Sequence, residues 1–146
     1  MATRNIKRIL DIEVRDYARH VKNGVENRFH LAKPRYNDYP AMVSACSETS
    51  RNAAIHKASS CTPIAKYIMA PLRALLVSRL GTIGERSAKT QCDNIIGKCA
   101  EVHAANKLLK SNIQYPINDI VFSIPIRPRT GEEKQYCVNC QTIFNV

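Results

Sequence analysis

Apolar positions along this chain recur with two different spacings, and the changes between them predict its elements. Across residues 4–29 they return at helical intervals. At about 100° per residue, Ile6, Leu10, Val14, Tyr17, Val21 and Val25 share one face. Arg4, Arg8, Arg15, Arg19 and Lys22 form a stripe roughly opposite, either a solvated face or a surface that tracks phosphates. Residues 33–40 carry Pro34, Asn37, Asp38 and Pro40 and read as a linker with turn chemistry. Residues 41–46 are expected as a strand, 47–50 as a turn, and 52–57 as a returning strand. Thr62 and Pro63 are suited to open a helix running to about Leu80 and kinked near Pro71. Residues 85–98 hold room for one more short helix, and Gly97 lets the chain turn closely into the next element. A helix over 99–110 buries Val102, Ala105, Leu108 and Leu109.

Residues 119–126 predict a strand with Ile120, Phe122, Ile124 and Ile126 on one face, and 137–144 a short last helix. The strand's long-range partners can only be the two early strands. The fold class expected is therefore α/β and three-layered: a compact unit with a small mixed sheet and flanking helices. We divide the chain into an N-terminal helix and linker over 1–37 and a main domain over 38–146.

Composition narrows the function classes. Lys and Arg number 22 against 12 Asp and Glu, a net charge of +10, and the isoelectric point is near 9.6. Such an excess draws polyanions, so nucleic acid is the expected partner class; the plainer reading is a solubility device. No apolar run approaches the roughly 20 residues of a membrane span. No hydrophobic signal segment follows the basic N-terminus. A soluble protein without a membrane role is expected, working in a cytoplasmic compartment. Six cysteines could form three disulfides. Cys137 and Cys140, however, make a Cys-x-x-Cys pair that suits metal or redox chemistry, and the other four lack the dense spacing of a small secreted scaffold. Reduced thiols are the expectation.

The chemistry concentrates in Cys99-Ala-Glu101 and Cys137-Val-Asn-Cys140. Catalytic zinc takes three protein ligands and keeps a fourth position open. Cys99, Cys137 and Cys140 are three thiols at two expected helix starts, where the helix dipole favours thiolate. They are the expected zinc ligands. Glu101 is the expected general acid and base: a carboxylate beside the ion can take a proton from water and return it to the nitrogen of an amidine-like ring as ammonia leaves. His103 lies four residues after Cys99, and Arg127, Arg129 and Lys134 lie on the loop leading to Cys137. Tyr136 adjoins a ligand and could stack on a base. These five are candidate substrate contacts. A structural zinc site closed by Cys92 or His103, in an interaction domain without catalysis, is the rival reading.

Cys99-Ala-Glu101, followed 38 residues after Cys99 by Cys137-x-x-Cys140, resembles the His/Cys-x-Glu … Pro-Cys-x-x-Cys signature of the cytidine deaminase superfamily. The order of helix, hairpin, ligand-bearing helix, strand and ligand-bearing helix is similar too. Within the superfamily the chain looks most like bacterial polymorphic-toxin deaminases of the YwqJ type. The features are a long helix between hairpin and Cys99, the ending Cys-Val-Asn-Cys-Gln-Thr-Ile-Phe144, and a chain that stops soon after, as a C-terminal toxin domain does. The resemblance implies zinc-dependent conversion of cytosine to uracil in a target cell's nucleic acid, with an immunity protein guarding the producer. Tyr136 stands where the family carries Pro, and the Pro-Cys-Gly-x-Cys-Arg-Gln run of the free-cytidine enzymes is missing. A free nucleoside or nucleotide substrate is the alternative.

Overall fold

The computed structural model describes residues 2–28, 33–50 and 52–146, with side chains of the first helix from Asn5 onward. Phe29, expected at the helix end, and the side chain of Arg4 lie outside the described residues. Helix α1 (Ala2–Arg28) forms one outer layer. Leu10, Val14, Ala18 and Val25 are buried, and Ile6, Tyr17 and Val21 are half-buried. This is the face the helical spacing selects, with Ala18 added.

The middle layer is a sheet of β1 (Val43–Ser47), β2 (His56–Ser59) and β3 (Val121–Phe122), ordered β2-β1-β3, with both pairings antiparallel. Helices α2 (Ala70–Arg79), α3 (Ala100–Ser111) and α4 (Val138–Ile143) supply the other layer. Every residue of β1 is buried because it is covered on both faces. Val43 and Ala45 pack with α1, while Cys46 packs with Leu108, Leu109 and Val102 of α3. The expected α/β architecture, a small sheet flanked by helices, is what the chain adopts, with the sheet antiparallel throughout rather than mixed.

The third strand departs from its expected pattern. Cys46 pairs with Phe122 and Val43 with Ile126. Three steps along β1 thus oppose four along 122–126, so one extra residue is inserted as a bulge. Pro125 has no N–H to give the ladder. Ser123 completes the pairing instead: its N–H donates to the Ala45 carbonyl at 2.8 Å, and its Oγ accepts the Ala45 N–H at 2.9 Å. The insertion reverses the alternation of faces. Ile120 and Phe122 join the α3 side, but Ile124 and Ile126 join Val121 on the α1 side. The single apolar face expected over 120–126 is therefore split in two.

No further strand lies along the outer edge of β3 among the described residues; side chains cover it. Lys7 Nζ donates to the Phe122 carbonyl at 3.0 Å, the Ile124 N–H donates to Asp11 Oδ1 at 2.8 Å, and the Tyr136 hydroxyl donates to the Ser123 carbonyl at 2.8 Å. Open edge groups need such partners or water.

Two helical expectations also change. The helix expected from Thr62 begins only at Ala70, after a 3₁₀ turn over Ala65–Tyr67. Pro71 falls in its first turn, where a missing N–H costs nothing, so the proline starts this helix rather than kinking it. Asn106 fixes the break: its Oδ1 accepts the Met69 N–H at 2.7 Å and its Nδ2 donates to the Tyr67 carbonyl at 2.9 Å. Residues 85–98 form turns instead of a helix. Backbone bonds from Gly84 to Ile96 (2.9 Å) and from Ile96 to Glu85 (2.8 Å) pin the segment, and Ile96 is wholly buried. Gly97 has φ +90°, and a Cβ there would sit 3.0 Å from Pro63 Cβ, so the close turn needs glycine. No helix among the described residues is long and apolar enough to cross a membrane.

Candidate metal centre

Cys99 is the residue on which α3 starts, Cys137 is the one on which α4 starts, and Cys140 lies in the first turn of α4. The two helix starts converge because α3 packs across β1 and β2 while Phe144, just past α4, packs on Phe122 of β3 with ring centroids 4.6 Å apart. The sulfurs of Cys99 and Cys137 are 3.1 Å apart, and all three sulfurs lie within 4.8 Å of one another. Zinc–sulfur bonds of about 2.3 Å in a tetrahedron put sulfurs roughly 3.8 Å apart, within that span, so the Cys99 and Cys137 sulfurs would part by about 0.7 Å around the ion. Geometry and donor chemistry both fit a thiophilic ion such as zinc. No fourth Cys, His, Asp or Glu joins the cluster among the described residues.

Electrostatics point the same way. Hydrogen bonds received from Cys140 and Cys99 hold the Cys137 thiol well below its ordinary value. The same bonds push Cys140 and Cys99 up, and burial adds to this. Three thiolates this close repel one another, so a cation is what lets all three ionise together. The Cys140 N–H also donates to Cys137 Sγ at 3.4 Å.

Glu101 sits in the first turn of α3 and is only 4% exposed. Its Oε2 lies 3.6 Å from Cys140 Sγ. Burial pushes its carboxyl up to about 7, and the charge on Cys137 adds to the rise. Cys99, Glu101 and Cys137 line one recess of about 90 Å³, together with Ser60, Asn94 and Pro125. A buried carboxyl balanced near neutrality beside a three-sulfur cluster can both accept and release a proton.

The other candidates fall in different places. Arg127 and Arg129 line a broad groove that shares Ala41, Ser60 and Lys98 with the recess. Lys134 pairs with Glu132 at 3.3 Å and lines neither the groove nor the recess. His103 turns to Cys61, with Nε2 3.0 Å from the Cys61 carbonyl oxygen and 3.4 Å from its sulfur. It does not line the recess. The Tyr136 ring lies under Lys7 at 5.9 Å, on the β3 edge. Burial, followed by the nearby charge of Glu101, keeps its hydroxyl protonated, so it stays a donor. Cys92 is half-buried and stands outside the cluster.

Spacing alone did not single out Asn139. It is buried between the two cysteines of the pair; its Nδ2 donates to the Asn94 carbonyl at 3.1 Å, and its Oδ1 accepts from Thr90 Oγ1 at 2.6 Å. It thus ties the 90–94 turn to α4 and holds Asn94 at the recess. The available signal was a polar residue between two ligands, which carries no hint of its partner. Comparison of the chain with family models, curated proteins and solved structures finds no match.

Proposed function

We propose that this chain is a zinc-dependent hydrolytic deaminase that converts cytosine to uracil in nucleic acid. One observation carries the reading: the buried Glu101 carboxyl shares a recess with sulfurs close enough to hold a metal, its Oε2 3.6 Å from Cys140 Sγ. Zinc held by Cys99, Cys137 and Cys140 would supply the Lewis-acid activation of water. Glu101 takes one proton from water and passes it to the ring nitrogen as the water oxygen bonds C4; the adduct's hydroxyl proton then passes to the exocyclic amine, the C4–N bond breaks, and ammonia leaves as the C4=O of uracil forms. Asn94, on the wall of the recess, is a candidate hydrogen-bond partner for the ring. The net charge of +10 supports a polyanionic substrate. The sequence resemblance extends the proposal to a toxin domain acting in the cytoplasm of a target cell, with an immunity protein as partner.

A structural zinc site, closed by four protein ligands, is the second reading. Replacing Glu101→Gln separates the two. A catalyst keeps its zinc, read by elemental analysis, and loses about 10²- to 10⁴-fold in turnover, read as C-to-T changes on sequencing incubated nucleic acid. Unchanged turnover in the variant, or none in the parent protein, sinks the proposal.

A further inference from the structure

The groove beside the recess holds about 920 Å³. Four cations line it from three separated stretches of chain: Arg28 at the end of α1, Lys98 next to a ligand cysteine, and Arg127 and Arg129 beyond β3. None of the four forms an ion pair with an acid among the described residues. Asp38 is the acid on the rim, and its Oδ2 already accepts the Arg35 N–H at 2.6 Å. Tyr36 stands 62% exposed at the same rim, with the Arg129 guanidinium 4.8 Å from its ring centre.

The basic stripe on α1 contrasts with this. There Arg15 pairs with Glu133 and Arg19 with Asp16. Its charge is partly answered, and it has no opening to the metal site.

We propose that the groove binds a single-stranded polynucleotide, with its phosphates on Arg28, Lys98, Arg127 and Arg129 and one base on Tyr36. The strand then passes the shared wall of Ala41, Ser60 and Lys98, so that a neighbouring base reaches the recess. The inference rests on the deaminase reading of that recess. Cations beside an exposed aromatic ring are the pattern by which proteins hold single strands: charge tracks the backbone and the ring takes a base face. A duplex keeps its bases stacked and would have to extrude one to reach the same point.

Binding is measured by fluorescence anisotropy with a labelled oligothymidine of about 20 nucleotides, longer than the ~4–16 that one such groove occupies. Thymine carries no amine to lose, so binding is read without turnover. Failure of the enzymatic reading then leaves this result intact, and the reverse also holds. The Arg28→Gln/Lys98→Gln and Arg127→Gln/Arg129→Gln pairs should each weaken binding about five-fold or more. Each should also lower the salt slope by about 1.4, two phosphates at ~0.7 apiece. Tyr36→Ala should cost about five- to ten-fold. Arg8→Gln/Arg19→Gln should change affinity less than about two-fold. Arg28 and Lys98 are exposed, so the first pair stands even if the second impairs folding, which thermal melting checks.

A loss equal to or larger than the groove variants' in the α1 pair overturns the proposal, as does tighter binding of the matching duplex. Absence of oligonucleotide binding, with groove-dependent binding of polyglutamate, overturns it in favour of an acidic protein partner.

Discussion

The two faces of the sheet are packed for different ends. On the α1 side the core is apolar, Leu10, Val14 and Ala18 against Val43, Ala45, Val121 and Ile126, and the polar contacts of α1 run along the sheet's edges, from Lys7 and Asp11 to β3 and its continuation and from Glu13 to Lys57. On the α3 side a larger apolar core also carries Glu101 and Asn106, both buried, with the sulfur cluster at one end. Buried polar groups need partners, and the second face supplies them from segments far apart in sequence. Asn106 clips the start of α2, and Asn139 clips the 90–94 turn. One face is a support whose core an amphipathic helix supplies by spacing alone. The other is specified residue by residue.

Substitutions can sharpen or break that contrast. The largest effect is expected at the cluster. Cys137→Ser should reduce zinc from about one per chain to almost none. Losing a ligand bound at about a thousand times its Kd removes ~4 kcal/mol, roughly 10 °C in Tm for a chain of this size. Elemental analysis and a thermal melt with and without chelator check both, and an unchanged metal content ends the contrast at once. Leu10→Ala, on the plain face, should cost about 2–5 kcal/mol in urea denaturation and leave the zinc stoichiometry intact. If it strips the metal as well, the two faces are not separable. Ser123→Ala is the mildest. It leaves the buried Ala45 N–H without its acceptor, for a loss of about 1–3 kcal/mol, and hydrogen exchange should show faster opening at Ala45.

The legibility of the molecule divides along similar lines. The α1 face could be read directly, because helical spacing reports burial when one helix lies on one flat surface. The sulfur cluster and the carboxyl beside it were legible for a related reason: Cys99 with Glu101, and Cys137 with Cys140, are local pairs at helix starts. The swap of Ile124 and Ile126 to the α1 side was hidden. It comes from a one-residue insertion at Ser123–Pro125, visible only once β1 is laid beside it. The helix expected from Thr62 starts later because a Pro suits the first turn equally well at 63 and at 71. Residues 85–98 carry no periodicity, since long-range bonds hold them. Arg28 and Lys98 could not be linked to Arg127 from sequence, as only the folded chain brings them to one groove.

Tyr136 has a consequence for the order of assembly. Its hydroxyl reaches Ser123 and Lys7, the latter 129 positions away at 3.2 Å, and the next residue along is Cys137. The Cys99 and Cys137 sulfurs, 3.1 Å apart in space, are themselves 38 positions apart in sequence. Closing such long loops is slow, so these contacts are expected late on the folding path. Ion uptake in a stopped-flow refolding trace should therefore keep step with the last phase of chain collapse, and the ion would act as a clasp on a nearly finished molecule rather than a seed for it.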